Sequence, residues 1–170
     1  MSLEIGKAIG KILQGSKIGD YDVKTHYGDQ FELNKWVGIQ DSSDRTKYPL
    51  VYYALNKDYK ERKGWISSKI TLILLTTGIY EELNNERIEL NYEAFLYPLK
   101  DLVKSKLTSN KYVIVKGGID NGFKPTDEPL MGISSDDFSK MKTSAVAGVT
   151  TDVVDALILE FEAEINIECL

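Results

Sequence analysis

The last stretch of the chain, Leu157-Ile158-Leu159-Glu160-Phe161-Glu162-Ala163-Glu164-Ile165-Asn166-Ile167-Glu168, limits what the protein can fold into more than any other part. Leu157, Leu159, Phe161, Ala163, Ile165 and Ile167 share one parity, and Glu160, Glu162, Glu164, Asn166 and Glu168 share the other. A two-residue period of this kind is that of a strand with one dry face. Extended, it spans roughly 35 Å, far beyond an ordinary strand. Burying its larger apolar side chains is worth about 1.5–3 kcal/mol each, against about 1–2 kcal/mol to fix each backbone residue. The strand alone roughly breaks even, so its partners must lie upstream.

A chain of 170 residues suits a single domain, 1–170, that buries most of its unfolded surface without staples. No greasy run is long enough to cross a bilayer: the longest, Ile70 to Leu75, contains Thr71. No apolar signal core stands at the N-terminus, so neither secretion nor membrane insertion is expected. The one cysteine, Cys169, excludes an internal disulfide and a cysteine-based zinc cage, in keeping with a reducing compartment. A net charge of −5 argues against broad nucleic-acid binding, which needs a basic surface.

Upstream, Ile5, Ala8, Ile9, Ile12 and Leu13 recur at helical spacing over residues 3–14, between Ser2 as a cap and Gly15 as a stop. Tyr21, Val23, Thr25 and Tyr27 alternate as a strand, and Phe31, Leu33, Val37 and Ile39 continue the alternation, which predicts a hairpin across Gly28-Asp29. Asp41-Ser42-Ser43-Asp44 forms a turn, Pro49 opens a strand to Leu55, and a second strand runs from Trp65 to Thr76. Both strands carry large side chains on both parities, so one face takes the helices and the other is left partly greasy in a monomer, a hint of self-association. Asn56 to Gly64 reads as a long hairpin tip. A helix over about 86–107 follows from Ile88, Tyr92, Phe95, Leu96, Leu99, Leu102, Val103 and Leu107, with a kink near Ala94 imposed by Pro98. Tyr112 to Val115 is a short strand. The glycines and prolines from 116 to 152 mark a loop-rich excursion, with a brief helix from Ser134 to Met141. The expected architecture is α+β: an antiparallel sheet of about four to five strands with two main helices packed on one face.

No catalytic, cofactor-binding or metal site follows from these residues. His26, the only histidine, falls on the polar parity beside Asp22 and Lys24, which suits a solvated strand residue better than a general base. Cys169 is penultimate, a poor place to hold a nucleophile. Lys116 to Lys124 has glycines and lysines but lacks the spacing of a phosphate loop. The carboxylates of Asp41-Ser-Ser-Asp44 and Asp136-Asp137 are too few for a calcium loop.

Charge distribution says more. From Arg45 to Lys69 seven basic residues (Arg45, Lys47, Lys57, Lys60, Arg62, Lys63, Lys69) face two acidic ones, with Tyr52, Tyr53, Tyr59 and Trp65 interleaved. A solvated hairpin tip explains this; so does contact with nucleic acid, or with a neighbouring subunit. The subunit reading pairs Lys57, Lys60, Arg62 and Lys63 with the acidic row Glu160, Glu162 and Glu164 of the next copy.

The order helix, hairpin, Pro-led strand, strand, long helix and terminal strand resembles the tail-terminator and tail-completion proteins of long-tailed bacteriophages and prophages, small α+β subunits with helices on one side of an antiparallel sheet. The resemblance spans roughly residues 1–110 and 153–168 and is one of pattern, so it transfers no functional residue. It implies a structural protein of virion assembly, not an enzyme: a homo-oligomeric ring, often hexameric, that closes the head-proximal end of the tail tube and joins it to the head. Its partners are then the tail-tube and head-connector proteins, DNA only as passing cargo and no membrane, with no cofactor; it sits in the cytoplasm during assembly and in the virion tail thereafter. The glutamate row is then expected to face the lumen, where it would repel passing DNA. The alternative is a monomeric small-molecule-binding module or small enzyme with its site under the 117–133 loop.

Overall fold

The computed structural model describes residues 2–38, 48–78, 83–125, 130–133 and 153–170. The turn at 41–44 and the helix expected from 134 to 141 fall outside them. Two strands of equal length form the spine: β6 (Trp65–Gly78) and β10 (Val153–Asn166) pair antiparallel along their whole length, from Val153 opposite Gly78 to Asn166 opposite Trp65. The terminal alternation therefore sits at the centre of the sheet. Leu159, Phe161, Ala163 and Ile165 are buried on the dry parity as expected.

The sheet is larger than expected and it is mixed. Eight described strands belong to it, in the order β3-β4-β6-β10-β7 with three short strands beside β6 and β10. β3 (Lys24–Gly28) runs parallel to β4 (Leu50–Ala54), and every other pairing is antiparallel. On the other flank β7 (Val113–Val115), β8 (Phe123–Pro125) and β9 (Leu130–Ile133) share the long edge of β10. Segments of three or four residues show no period of their own. Each is a strand because a 14-residue neighbour supplies the hydrogen-bonding partner. The excursion after Lys116 thus contributes two strands and the short helix α5 (Gly118–Asn121). A further small hairpin, β1 (Lys17–Ile18) with β2 (Tyr21–Asp22), precedes β3.

Two helical units cover the dry face. α1 (Ser2–Leu13) sets Ile5, Ala8, Ile9 and Leu13 into the core, and it approaches β3 so closely that a Cβ on Gly6 would stand 2.5 Å from the Tyr27 ring. The second unit runs from α3 (Asn84–Arg87) through a π-helical stretch, Ile88–Leu96, into α4 (Tyr97–Ser109). Its buried stripe is Tyr92, Leu96, Leu99, Val103 and Leu107. Pro98 lies in the first turn of α4, where its missing N–H is least damaging, and the irregularity expected near Ala94 takes the form of π winding, with Tyr97 N–H bonding to Tyr92 O.

The second hairpin strand read from Phe31 to Ile39 is instead a helix, α2 (Gln30–Gly38). Leu33 and Val37 are four apart and buried, whereas Phe31 is 63% exposed, so the apparent alternation was accidental. Asp29 caps the helix, its Oδ1 accepting from Glu32 N–H at 2.9 Å. Tyr52 adds a second tether, its hydroxyl donating to Asp29 O at 2.9 Å; burial, with the charges of Glu32 and Asp29 adding, pushes that phenol well above the ordinary range. Asp29→Ala should lower stability by about 1 kcal/mol, read from urea unfolding; an unchanged midpoint would mean that packing alone holds α2.

α2 packs on the opposite face from α1 and α4. Leu33 and Val37 join Tyr48, Leu50, Tyr52, Ile73, Leu75, Val154 and Ala156 in a second core. The greasy second face of β4 and β6, read from sequence as a surface for another copy, is thus covered over this half by the chain's own helix. α2 also explains the parallel β3–β4 pair, since parallel neighbours need a crossover. Among the described residues no helix is long and apolar enough to cross a membrane.

Candidate functional site

The half of this second face beyond α2 carries Lys60, Arg62, Lys69, Glu160, Glu162 and Glu164; Lys57 and Lys63 lie just off the strands, and Arg45 and Lys47 fall outside the described residues. β5 (Tyr59–Arg62) pairs with the start of β6 through the turn Lys63-Gly64, whose φ values of 50° and 76° are those of a two-residue hairpin turn. The long tip expected from 56 to 64 therefore contains a four-residue strand. Lys60 lies opposite Ser67, Ser67 opposite Glu164, and Glu164 opposite Ile114. One row across four strands thus holds a lysine, a serine, a glutamate and an isoleucine on one face. Lys60, Arg62, Lys63, Trp65, Ser67, Ile114 and Glu164 line a shallow cleft of about 490 Å³ there, and Ile114 is 53% exposed.

The basic strip and the acidic row are neighbours within one chain. Glu160 Oε2 lies 2.9 Å from Lys69 Nζ, and Thr71 Oγ1 donates to its other oxygen at 3.5 Å. Glu162 Oε2 accepts from Lys116 Nζ at 2.8 Å. That hydrogen bond, and then the charge behind it, holds the Glu162 carboxyl below its usual range and raises the Lys116 amine. Two of the three glutamates expected to reach another copy are thus occupied at home. Glu164 shares its cleft with Lys60, Arg62 and Lys63.

The remaining residues singled out fall in ordinary places. His26 is half-buried against the rings of Tyr27, Trp36 and Tyr52, with centroids 5.9, 5.7 and 5.8 Å away, rather than solvated, because α2 brings Trp36 over the strand. Cys169 is free and exposed. Among the described residues no group of three or more His, Cys, Asp or Glu is arranged to hold a metal. In the 117–133 stretch, Phe123 packs on Phe161 with ring centroids 4.9 Å apart and Lys104 lies over its ring at 5.5 Å.

A second cleft, of about 830 Å³, was not anticipated from sequence. It lies between the end of α1, the start of β3 and Trp36 of α2. Ser16 lines it, 5% exposed, and its Oγ has no hydrogen-bond partner. A single serine after a helix-ending glycine carries no signal, and Trp36 joins the lining only because α2 returns beside β3. No protein-family model matches the chain, and comparison with curated proteins finds no match.

Proposed function

We propose that the chain is a structural subunit of a phage or prophage tail, a terminator or completion protein that forms a ring at the head-proximal end of the tail tube and joins it to the head. The observation that carries this reading is the half of the sheet face that no described helix covers, where Lys60, Arg62, Trp65, Ile114 and Glu164 form one shallow surface. Aromatic and arginine side chains amid charges of both signs are the composition of a protein interface rather than of a reaction centre. The element order adds support: helix, strands, long helix and a terminal strand that completes the sheet. Tail-tube and head-connector proteins are the partners in this reading, DNA is passing cargo, and no cofactor or catalytic step is involved. Pairing of Lys57, Lys60, Arg62 and Lys63 with the next copy's acidic row then rests mainly on Glu164, since Glu160 and Glu162 would first have to exchange partners. The alternative is a monomeric small-molecule-binding module or small enzyme with its site under the 117–133 loop.

Sedimentation velocity at low salt tests the reading. The wild-type chain is expected to sediment as a closed oligomer, and the combined changes Lys57→Glu, Lys60→Glu, Arg62→Glu and Lys63→Glu to return it to the monomer. A wild-type chain that stays monomeric at every concentration, alone and with tube protein, would remove the assembly role.

A further inference from the structure

β3 ends the sheet, with β4 on one side and no strand of the sheet on the other among the described residues. Successive amides of an extended chain point to opposite sides, and two backbone hydrogen bonds mark which side is which. Lys24 N–H donates to Pro49 O toward β4, and Val23 N–H donates to Ser16 O on the outer side. Thr25 and Tyr27 therefore turn their backbone groups outward. The chain itself already uses this outer lane, where Lys17 lies opposite Asp22 and Ile18 opposite Tyr21. Upstream of Ser16 it turns off at Gly15, φ 72°, into α1, and the lane beside Thr25 opens into the 830 Å³ cleft. Ser16 stands at the head of that lane with its buried hydroxyl unpartnered, an arrangement that is costly unless another group supplies the bond.

We propose that this edge takes an added strand from a second copy of the chain, and that the strand is β5. The inference rests on the self-assembly reading above and gives its basic residues the edge of β3, in place of Glu164, as their contact. β5 pairs only with β6 among the described residues, and all four of its residues are exposed. Its two-residue turn directs the amides of Arg62 and Lys60 into the hairpin and those of Glu61 and Tyr59 outward. Two outward-facing residues on β5 thus meet two on β3. Charge on the strands favours the match: Lys57, Lys60, Arg62 and Lys63 outnumber Asp58 and Glu61 on the donor, and from β1 to α2 Asp20, Asp22, Asp29 and Glu32 outnumber Lys17, Lys24 and Lys35 on the acceptor, with Asp22 already 3.5 Å from Lys17. The added backbone passes the head of the lane, where it supplies a partner for Ser16 Oγ. Donor and acceptor are different edges of the molecule, so the contact is head-to-tail and closes into a ring when its rotation allows.

Proline tests this without cutting a bond inside the subunit. Thr25→Pro and Glu61→Pro each remove one outward amide, a position at which an edge strand tolerates proline. Each variant is expected to keep the wild-type circular dichroism and urea midpoint and to sediment as a monomer. Mixed together, they should form a dimer and nothing larger, because one contributes an intact β5 edge and the other an intact β3 edge. If both variants fold and still assemble as the wild type does, or if the mixture stays monomeric, the β3–β5 contact is wrong while the assembly reading stands. If the wild-type chain is itself monomeric throughout, both fall. Amide exchange on the wild-type oligomer covers the case of a variant that does not fold: Thr25, Tyr27, Tyr59 and Glu61 should be protected in the oligomer and exchange in the dilute monomer, and exchange in both overturns the contact.

Discussion

Arg87→Met is expected to destabilise the fold by about 3–5 kcal/mol, because it leaves a carboxylate buried without its counter-charge. Asp155 sits on the dry parity of β10 and is 0% exposed. Arg87 NH1 donates to its Oδ1 at 2.7 Å, and Asn91 Nδ2 donates to its Oδ2 at 2.6 Å. Both partners come from α3 and the π-helical stretch, so the network fixes where that unit lands on β10. Next to it, the Tyr92 hydroxyl donates to Ala156 O at 3.1 Å, and burial together with the Asp155 charge pushes the phenol above its ordinary range. Replacing the whole set, with Arg87→Met, Asn91→Leu and Asp155→Leu together, should recover most of the loss, since an apolar trio of similar volume carries no desolvation penalty. Urea unfolding of the single and triple variants measures both. A single variant within about 1 kcal/mol of wild type would mean that water reaches Asp155.

Phe161→Ala should cost about 3–5 kcal/mol by opening a cavity at the middle of the sheet. Phe161 is 3% exposed, lies opposite Ile70 on β6, and stacks at an angle on Phe123, whose strand β8 it anchors to β10. Its neighbour Glu162 lies on the other parity, exposed, and Glu162→Ala should leave the urea midpoint where it is. The contrast between adjacent residues is the measurement. Equal losses at both positions would mean that β10 does not present one dry face.

That alternation was legible because the dry face of β10 is continuous: Leu157, Leu159, Phe161, Ala163 and Ile165 all join the core shared with the helices, so parity and burial coincide. At Val154 and Ala156 the second core also buries the opposite parity, and there the pattern loses meaning. The long helix was legible for a related reason, its apolar stripe meeting a single surface. α2 was misread because Phe31 and Leu33 happen to alternate while only Leu33 is buried; Asp29 three residues before Glu32 was the available signal, and it outweighs a two-residue coincidence once the cap bond is seen. Asp155 was legible as an anomaly at most, a carboxylate on a dry parity whose partners lie 68 and 64 residues away in the chain.

The charged residues divide the same way. Sequence alone shows basic residues on one segment and glutamates on another, and complementarity between them; it cannot show that the two lie on one face of one sheet with a single strand between them. Local periods and caps are properties of neighbouring residues, and they determined the central strand, the long helix and the first helix. Which strands pair, in which register and in which direction depends on residues far apart in the chain. Only the tertiary structure decided that Glu160 and Glu162 are paired within their own chain, that α2 covers half of the second face, and that no described strand pairs with the edge of β3 beyond Ser16, because each follows from where the chain returns in space rather than from what stands beside it.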